Sequence, residues 1–208
     1  ANVKHLRSII GDDIKLMIDS NHAYTYMEAL ELAKKLEAYQ ISWCAEPVSP
    51  ESYEQYGELS QKTTIPLAGG ECESMRFGFH QLLRNKSVDI IQPDICACGG
   101  LTEAKRIASL ASTYGVDVVP HTWGSSIGLH VALHFVSNLE SVPGRMFSPD
   151  FLLEFDQTEN ALLPRRAEDA TRACDMNLPK WILAGLAADS PTALRMAVLV
   201  DCLLYTSD

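Results

Sequence analysis

Short runs of apolar and β-branched residues recur along the chain. Each closes on a polar residue, and a longer stretch with helical spacing follows it. The runs are Ile14-Lys15-Leu16-Met17-Ile18, Ile41-Ser42-Trp43-Cys44, Ile65-Pro66-Leu67-Ala68, Val88-Asp89-Ile90-Ile91 and Val116-Asp117-Val118-Val119, with a sixth at Phe151-Leu152-Leu153. Between them the periodicity predicts helices over residues 25–38, 51–61, 74–84, 101–114 and 127–138. In the first of these, Ala29, Leu32, Ala33 and Leu36 recur three and four residues apart, which places them on one buried face. Ser and Thr near the helix starts, and Gly115 after a helix end, supply the expected punctuation.

Strands alternating with helices imply parallel βαβ units in an α/β fold. An open doubly wound sheet gathers its polar groups at one switch point, whereas a (β/α) barrel places them at the C-terminal end of many strands. Here they stand at every strand end, at Asp19, Glu46, Glu71, Asp94, His121 and Glu154. The first five are about one βα unit apart in sequence, so the expectation is a partial TIM-like (β/α) barrel of about six units. Gly69-Gly70 and Gly99-Gly100 lack the partners of a phosphate loop and read as tight βα turns.

Composition narrows the partners. Of 208 residues 47% are hydrophobic and 21% charged, and the formal net charge is -10. Such a surface repels phosphate backbones and anionic lipid, so neither nucleic acid nor membrane is an expected partner. No apolar run approaches the roughly 18 residues of a membrane helix, and Ala1-Asn2-Val3-Lys4-His5 does not read as a signal peptide. The expected compartment is the cytoplasm. The cysteines at 44, 72, 96, 98, 174 and 202 show no zinc-site spacing and read as reduced, buried small residues.

Three carboxylates brought together by Asp19, Glu46 and Glu71 would repel one another unless a cation neutralised them. All-oxygen ligation with positions left for water or substrate suits Mg²⁺. Glu73, two residues beyond Glu71, is an alternative donor if that segment is extended. Asp94 and His121 end the next two strands, where a carboxylate can fix an imidazole tautomer and raise its basicity. His130 and His134 lie four apart without the Glu of a zinc-protease helix and read as helix-face residues.

With Ile18-Asp19-Ser20-Asn21, Ala45-Glu46-Pro47-Val48, Ala68-Gly69-Gly70-Glu71, Gln92-Pro93-Asp94 and Pro120-His121 in order, residues 3–162 resemble the C-terminal barrel domain of the enolase superfamily. The branch is that of mandelate racemase and muconate lactonizing enzyme. Trp123-Gly124-Ser125 and Leu153-Glu154-Phe155-Asp156 are similar to the acid-sugar dehydratases within it. The resemblance implies Mg²⁺ held by Asp19, Glu46 and Glu71, an acid/base dyad of Asp94 and His121, and Glu154 at the substrate carboxylate. Asn21 and Trp123 join Glu154 as candidate substrate-binding residues. The implied activity is that of a lyase: abstraction of the proton alpha to a sugar-acid carboxylate, then loss of the β-hydroxyl to give a 2-keto-3-deoxy acid.

The resemblance also implies a Lys-x-Lys strand and a capping domain upstream of Ala1, so residues 1–162 are expected to form a barrel fragment, inactive alone and homo-oligomeric when full length. Residues 163–208 depart from the pattern. Cys202-Leu203-Leu204-Tyr205-Thr206-Ser207-Asp208 resembles translated adapter sequence, and this tail reads either as a frameshift or read-through or as a diverged helical tail, for which residues 184–204 are apolar enough. Two other readings remain open. The same dyad facing a second base gives a racemase or epimerase, and an incomplete barrel gives an inactive metal-binding fragment.

Overall fold

The computed structural model describes residues 2–139, 152–154 and 198–201. Cα packing divides the chain into two compact units. The first comprises residues 1–70, 80–90 and 195–208, and the second residues 71–79 and 91–194.

The first unit opens with α1 (Asn2–Ile10), followed by β1 (Leu16–Asp19), α2 (Tyr26–Leu36), a 3₁₀ turn (Glu37–Tyr39), β2 (Ile41–Ala45), α3 (Tyr53–Ser60) and β3 (Leu67–Gly69). β1 and β2 pair in parallel, with Asp19 opposite Ala45, and β2 pairs in parallel with β3, with Ala45 opposite Ala68. Leu16, Met17, Ile18, Trp43, Cys44, Leu67 and Ala68 are all buried, as both-face burial of parallel strands requires. α2 starts where the Thr25 amide and hydroxyl both donate to Glu28 Oε2, at 2.9 and 2.7 Å. That contact, made chiefly through the Thr25 hydroxyl, holds the Glu28 carboxyl below the usual range. Ala29, Ala33 and Leu36 then turn inward.

A buried cation fixes the α1 end of this unit. The Arg7 guanidinium donates to the carbonyls of Gly11, Ile14, Tyr39 and Gln40 at 2.8–2.9 Å. It thereby closes the turn after α1 onto the turn before β2, and Gln40 itself is left-handed at φ 52.

Helix α4 (Met75–Arg84) and strand β4 (Ile90–Ile91) carry the chain from one unit to the other. Within the first unit the Asp89 amide donates to Leu67 O, and Asp89 Oδ2 accepts from the Leu67 amide. Within the second, the Val119 amide donates to Ile91 O, which sets β5 (Asp117–Val118) beside β4. The second unit also holds α5 (Gly100–Tyr114) and α6 (Ser126–Val136), packed through Ala104, Ile107, Ala111, Leu129, Ala132, Leu133 and Phe135. Glu103 on α5 is 3% exposed and paired with Arg76 and Arg106, tying the start of α4 to that of α5.

Helices α2 to α6 fall within about two residues of the expected bounds, α1 had no expected range, and three expectations are corrected. Residues 152–154 lie in no strand, so the run at Phe151-Leu152-Leu153 does not supply the sixth one over the described positions. The Glu154 side chain, not a backbone ladder, anchors them. Instead β6 (Val198–Asp201) pairs in parallel with β1, Leu16 opposite Val198. Among the four described cysteines, Cys44 and Cys98 are buried as expected, whereas Cys72 and Cys96 are exposed because they sit in turns beyond strand ends.

Glu73 supplies the third correction. Residues 71 and 72 form a turn, so the segment after Glu71 is not extended, and the two acids do not share a face by alternation. The Glu73 carboxylate packs over the first turn of α4, against Gly78, where a methyl group would overlap it.

Candidate active site

In the first unit the strand ends are held at one level by main-chain bonds. Ser20 donates to Ala45 O, His22 to Glu46 O and Glu46 to Ala68 O. Asn21, His22 and Glu46 all have positive φ, at 41, 61 and 44. Left-handed backbone at three residues beyond two neighbouring strand ends marks a site that the surrounding fold over-determines. Asp19 Oδ1 accepts the Asn21 amide at 2.9 Å, a bond that turns the chain sharply out of β1.

Glu46 is 1% exposed. Its Oε1 accepts the Gly70 amide at 2.7 Å, and its Oε2 accepts the Tyr56 hydroxyl at 2.6 Å and faces His22 Nδ1 at 3.1 Å. Gly70 has φ 116, a conformation that delivers its N–H to the carboxylate and that side chains avoid. Among the described residues no Lys or Arg pairs with this buried carboxylate. A charge compensated by neutral donors and one imidazole fits a divalent cation, and Asp19 adds a second hard oxygen donor at the neighbouring strand end.

In the second unit the expected dyad is a hydrogen bond: His121 Nδ1 lies 2.9 Å from Asp94 Oδ2. Asp94 is held from its other side, where Oδ1 accepts the amides of Cys96 and Ala97 at 2.7 and 3.2 Å. The carboxylate therefore cannot rotate without losing three bonds, and it fixes the imidazole with Nε2 directed elsewhere. Nε2 lies 3.5 Å from Glu71 Oε2.

Burial opposes charge on His121, but it is outweighed by the Asp94 hydrogen bond and by the fields of Glu154, Glu71 and Asp94. The pKa rises to about 9. Burial likewise pushes the Asp94 carboxyl up, yet its bonds from His121, Cys96 and Ala97 and the charge of His121 leave it below the ordinary value. Burial raises the nearby Cys98 thiol to about 11, which leaves it protonated and inert at neutral pH.

Glu154 joins this group through both oxygens. Oε1 accepts from Gln92 Nε2 at 2.9 Å and Oε2 from the Thr122 amide at 3.1 Å, next to His121. Trp123 is 64% exposed beside them. His130 Nδ1 bonds the carbonyl of Ser126 one turn back, and His134 lies in the last turn of α6, so both are helix residues outside the dyad. The second unit thus gathers Glu71, Asp94, His121 and Glu154, while Asp19, Asn21 and Glu46 belong to the first. Tyr56, His22 and Gln92 were absent from the sequence-level assignment. Gln92 and His22 adjoin recognisable segments, whereas nothing in sequence marks Tyr56.

Residues 1–171 match the family described as Enolase C-terminal domain-like. The chain belongs to that family. Its fold is accordingly the α/β, TIM-barrel-like fold of enolase C-terminal domains. Among its relatives, the D-galactarolactone cycloisomerase of Agrobacterium fabrum is 42% identical over 155 residues, covering 74% of this chain and 41% of that protein. The L-rhamnonate dehydratase of Saccharopolyspora erythraea is 38% identical over 148 residues, covering 69% and 37%. The crystal structure of the 3,6-anhydro-D-galactonate cycloisomerase from Zobellia galactanivorans has a TM-score of 0.71 at 55% identity, over 77% of this chain and 43% of that one. The chain spans about two-fifths of the length of these relatives.

Proposed function

We propose that this enolase-family chain carries the acid/base centre of a lyase-type enzyme that removes the proton alpha to a sugar-acid carboxylate and expels the oxygen on the β carbon. The observation that carries the reading is the 2.9 Å Asp94–His121 bond, with Glu71 and Glu154 adding their fields to the same imidazole. In the neutral form His121 takes the α-proton at Nε2, and the C–H electron pair passes into the substrate carboxylate as an enediolate. The enediolate collapses, the β carbon–oxygen bond breaks, and the departing oxygen receives the proton back from Nε2. The enol product then tautomerises to a 2-keto-3-deoxy acid.

The raised pKa makes neutral His121 a stronger base, and Asp94 stabilises the imidazolium between the two transfers. Glu154 is assigned to orienting the substrate carboxylate, with Asn21 and Trp123 as further substrate contacts. The cofactor is proposed as Mg²⁺, with Asp19, Glu46 and Glu71 as its ligands by family resemblance. When bound it would supply a Lewis acid for the charge that grows on the substrate carboxylate.

A dehydratase expels a free hydroxyl. A cycloisomerase-type reaction expels a ring oxygen that stays attached, and the 55% identity to a 3,6-anhydro-D-galactonate cycloisomerase favours this second reading. Incubating the protein with Mg²⁺ and a panel of aldonic, aldaric, lactone and anhydro acids, followed by mass spectrometry, separates them. Loss of water to a keto acid means dehydratase, and a keto acid of unchanged mass means ring opening. Solvent deuterium at the alpha carbon with every C–O bond intact would mean a racemase and would overturn the elimination reading.

A further inference from the structure

Tyr56 is 1% exposed and contributes the shortest bond to Glu46, its hydroxyl donating to Oε2 at 2.6 Å. The ring has little freedom. Its helix α3 is tied at both ends, by Ser87 Oγ donating to Tyr53 O and by Ser60 Oγ donating to Lys86 O, each at 2.9 Å. Gly69 lines the same pair: a Cβ built there would lie 3.0 Å from Glu46 Oε1 and 3.2 Å from the Tyr56 hydroxyl, so glycine at this position leaves the room that the bond between them occupies.

A charge-assisted bond from a phenol is short and directional, and it fixes which lone pairs of the acceptor remain for other partners. Here Tyr56 and Gly70 together fix both oxygens of a carboxylate whose own backbone is left-handed. A buried tyrosine that merely needed an acceptor could have used a main-chain carbonyl. Spending the bond on a strand-end acid has a consequence for that acid.

From this we infer that Tyr56 is a positioning residue for Glu46, setting the orientation in which that carboxylate meets a divalent cation. The inference rests on the reading of Glu46 as a Mg²⁺ ligand. Partners that orient a metal ligand typically cost about 10- to 100-fold in metal affinity when removed.

The test compares the full chain with its Tyr56→Phe and Glu46→Gln variants by two measurements. Calorimetric titration with Mg²⁺ should show Tyr56→Phe losing about 10- to 100-fold in affinity. Amide exchange in the metal-free chain should show the Gly70 N–H, bonded to Glu46 Oε1, exchanging at least about tenfold faster once the carboxylate is released. Should Tyr56→Phe fail to fold, 3-fluorotyrosine at position 56 keeps the ring and strengthens the donor, and the Gly70 amide should then exchange more slowly.

A Gly70 amide that keeps its exchange rate in the substituted chains overturns the inference. Mg²⁺ affinity lost in Glu46→Gln but retained in Tyr56→Phe overturns it as well, and leaves the ligand reading standing. Affinity unchanged in Glu46→Gln sinks the ligand reading itself, and the metal-directed role of Tyr56 with it.

Discussion

Replacing Asp94 by Asn in the metal-free chain tests the electrostatics of the dyad without any substrate. The substitution preserves the shape of the side chain, and its carbonyl oxygen can still accept a bond from His121 Nδ1. It removes the negative charge and, because the amide NH₂ cannot accept, the two bonds that Oδ1 takes from the Cys96 and Ala97 amides. In the native chain the imidazole pKa stands at about 9 against an ordinary 6.5, and at about 1.36 kcal/mol per unit this corresponds to about 3 kcal/mol of preference for the charged form. Burial opposes that preference, and Asp94 leads the contributions that create it, ahead of Glu154 and Glu71.

Losing the charge should therefore lower the imidazole midpoint by more than about one unit and cost about 2 kcal/mol of stability at pH 6. A raised folded-state pKa stabilises fully below the unfolded value and loses its effect as pH rises through the folded one. The difference between the native and Asp94→Asn chains should accordingly be largest near pH 6 and shrink above about pH 9 to what the two lost amide bonds cost. Two-dimensional NMR titration of the histidine ring nitrogens and urea unfolding at pH 6 and pH 9.5 measure both quantities. An unchanged ring midpoint, or a stability difference equal at the two pH values, refutes the reasoning.

Arg7→Met should destabilise the chain by about 3 kcal/mol in urea unfolding, because four inward carbonyls lose a charged donor and a thioether replaces none of those bonds. Gly57→Ala should cost about 1–3 kcal/mol although alanine favours helix, since the new Cβ would lie 2.6 Å from the main-chain oxygen of Asn85. A stabilised Gly57→Ala chain in the same assay would show that α3 can move away from that turn. In an active preparation of the enzyme, His121→Asn should leave the far-ultraviolet circular dichroism unchanged and lower turnover by about 10²–10⁴, the range for losing one acid/base group. A loss below tenfold would assign the proton transfers elsewhere.

The sequence by itself determined the elements from β1 to α6 and their order, but not α1 or β6. Period-three-and-four burial at Ala29, Ala33 and Leu36 and the fully apolar Leu16-Met17-Ile18 are local patterns, because helix faces and two-sided strands repeat over distances shorter than the elements. The candidate acids up to Asp94, and His121, were legible for the same reason: each stands within three residues of the end of an apolar run, so its place near a strand end is encoded beside it. The tertiary structure decided what each one touches. His121 reaches Asp94 because the Val119 amide bonds Ile91 O and sets the two strands side by side. Gln92 meets Glu154 across 62 residues, and Arg7 meets Gln40 across 33.

Alternation placed Glu73 beside Glu71 only on the assumption of extended backbone, and the turn at residues 71 and 72 breaks that assumption. The same holds for the sixth run, whose apolar pattern at Leu152 and Leu153 fits a strand. The segment is instead tied down by one side chain, Glu154, which no local pattern could announce. Tyr56 is the sharpest instance. On α3 it is one aromatic residue on an apolar face, and only the packing of α3 beneath the end of β2 turns its hydroxyl onto a buried carboxylate. Periodicity is written residue by residue, whereas the partner of a buried polar group is chosen by the fold as a whole, which brings distant segments together and leaves each donor one acceptor within reach.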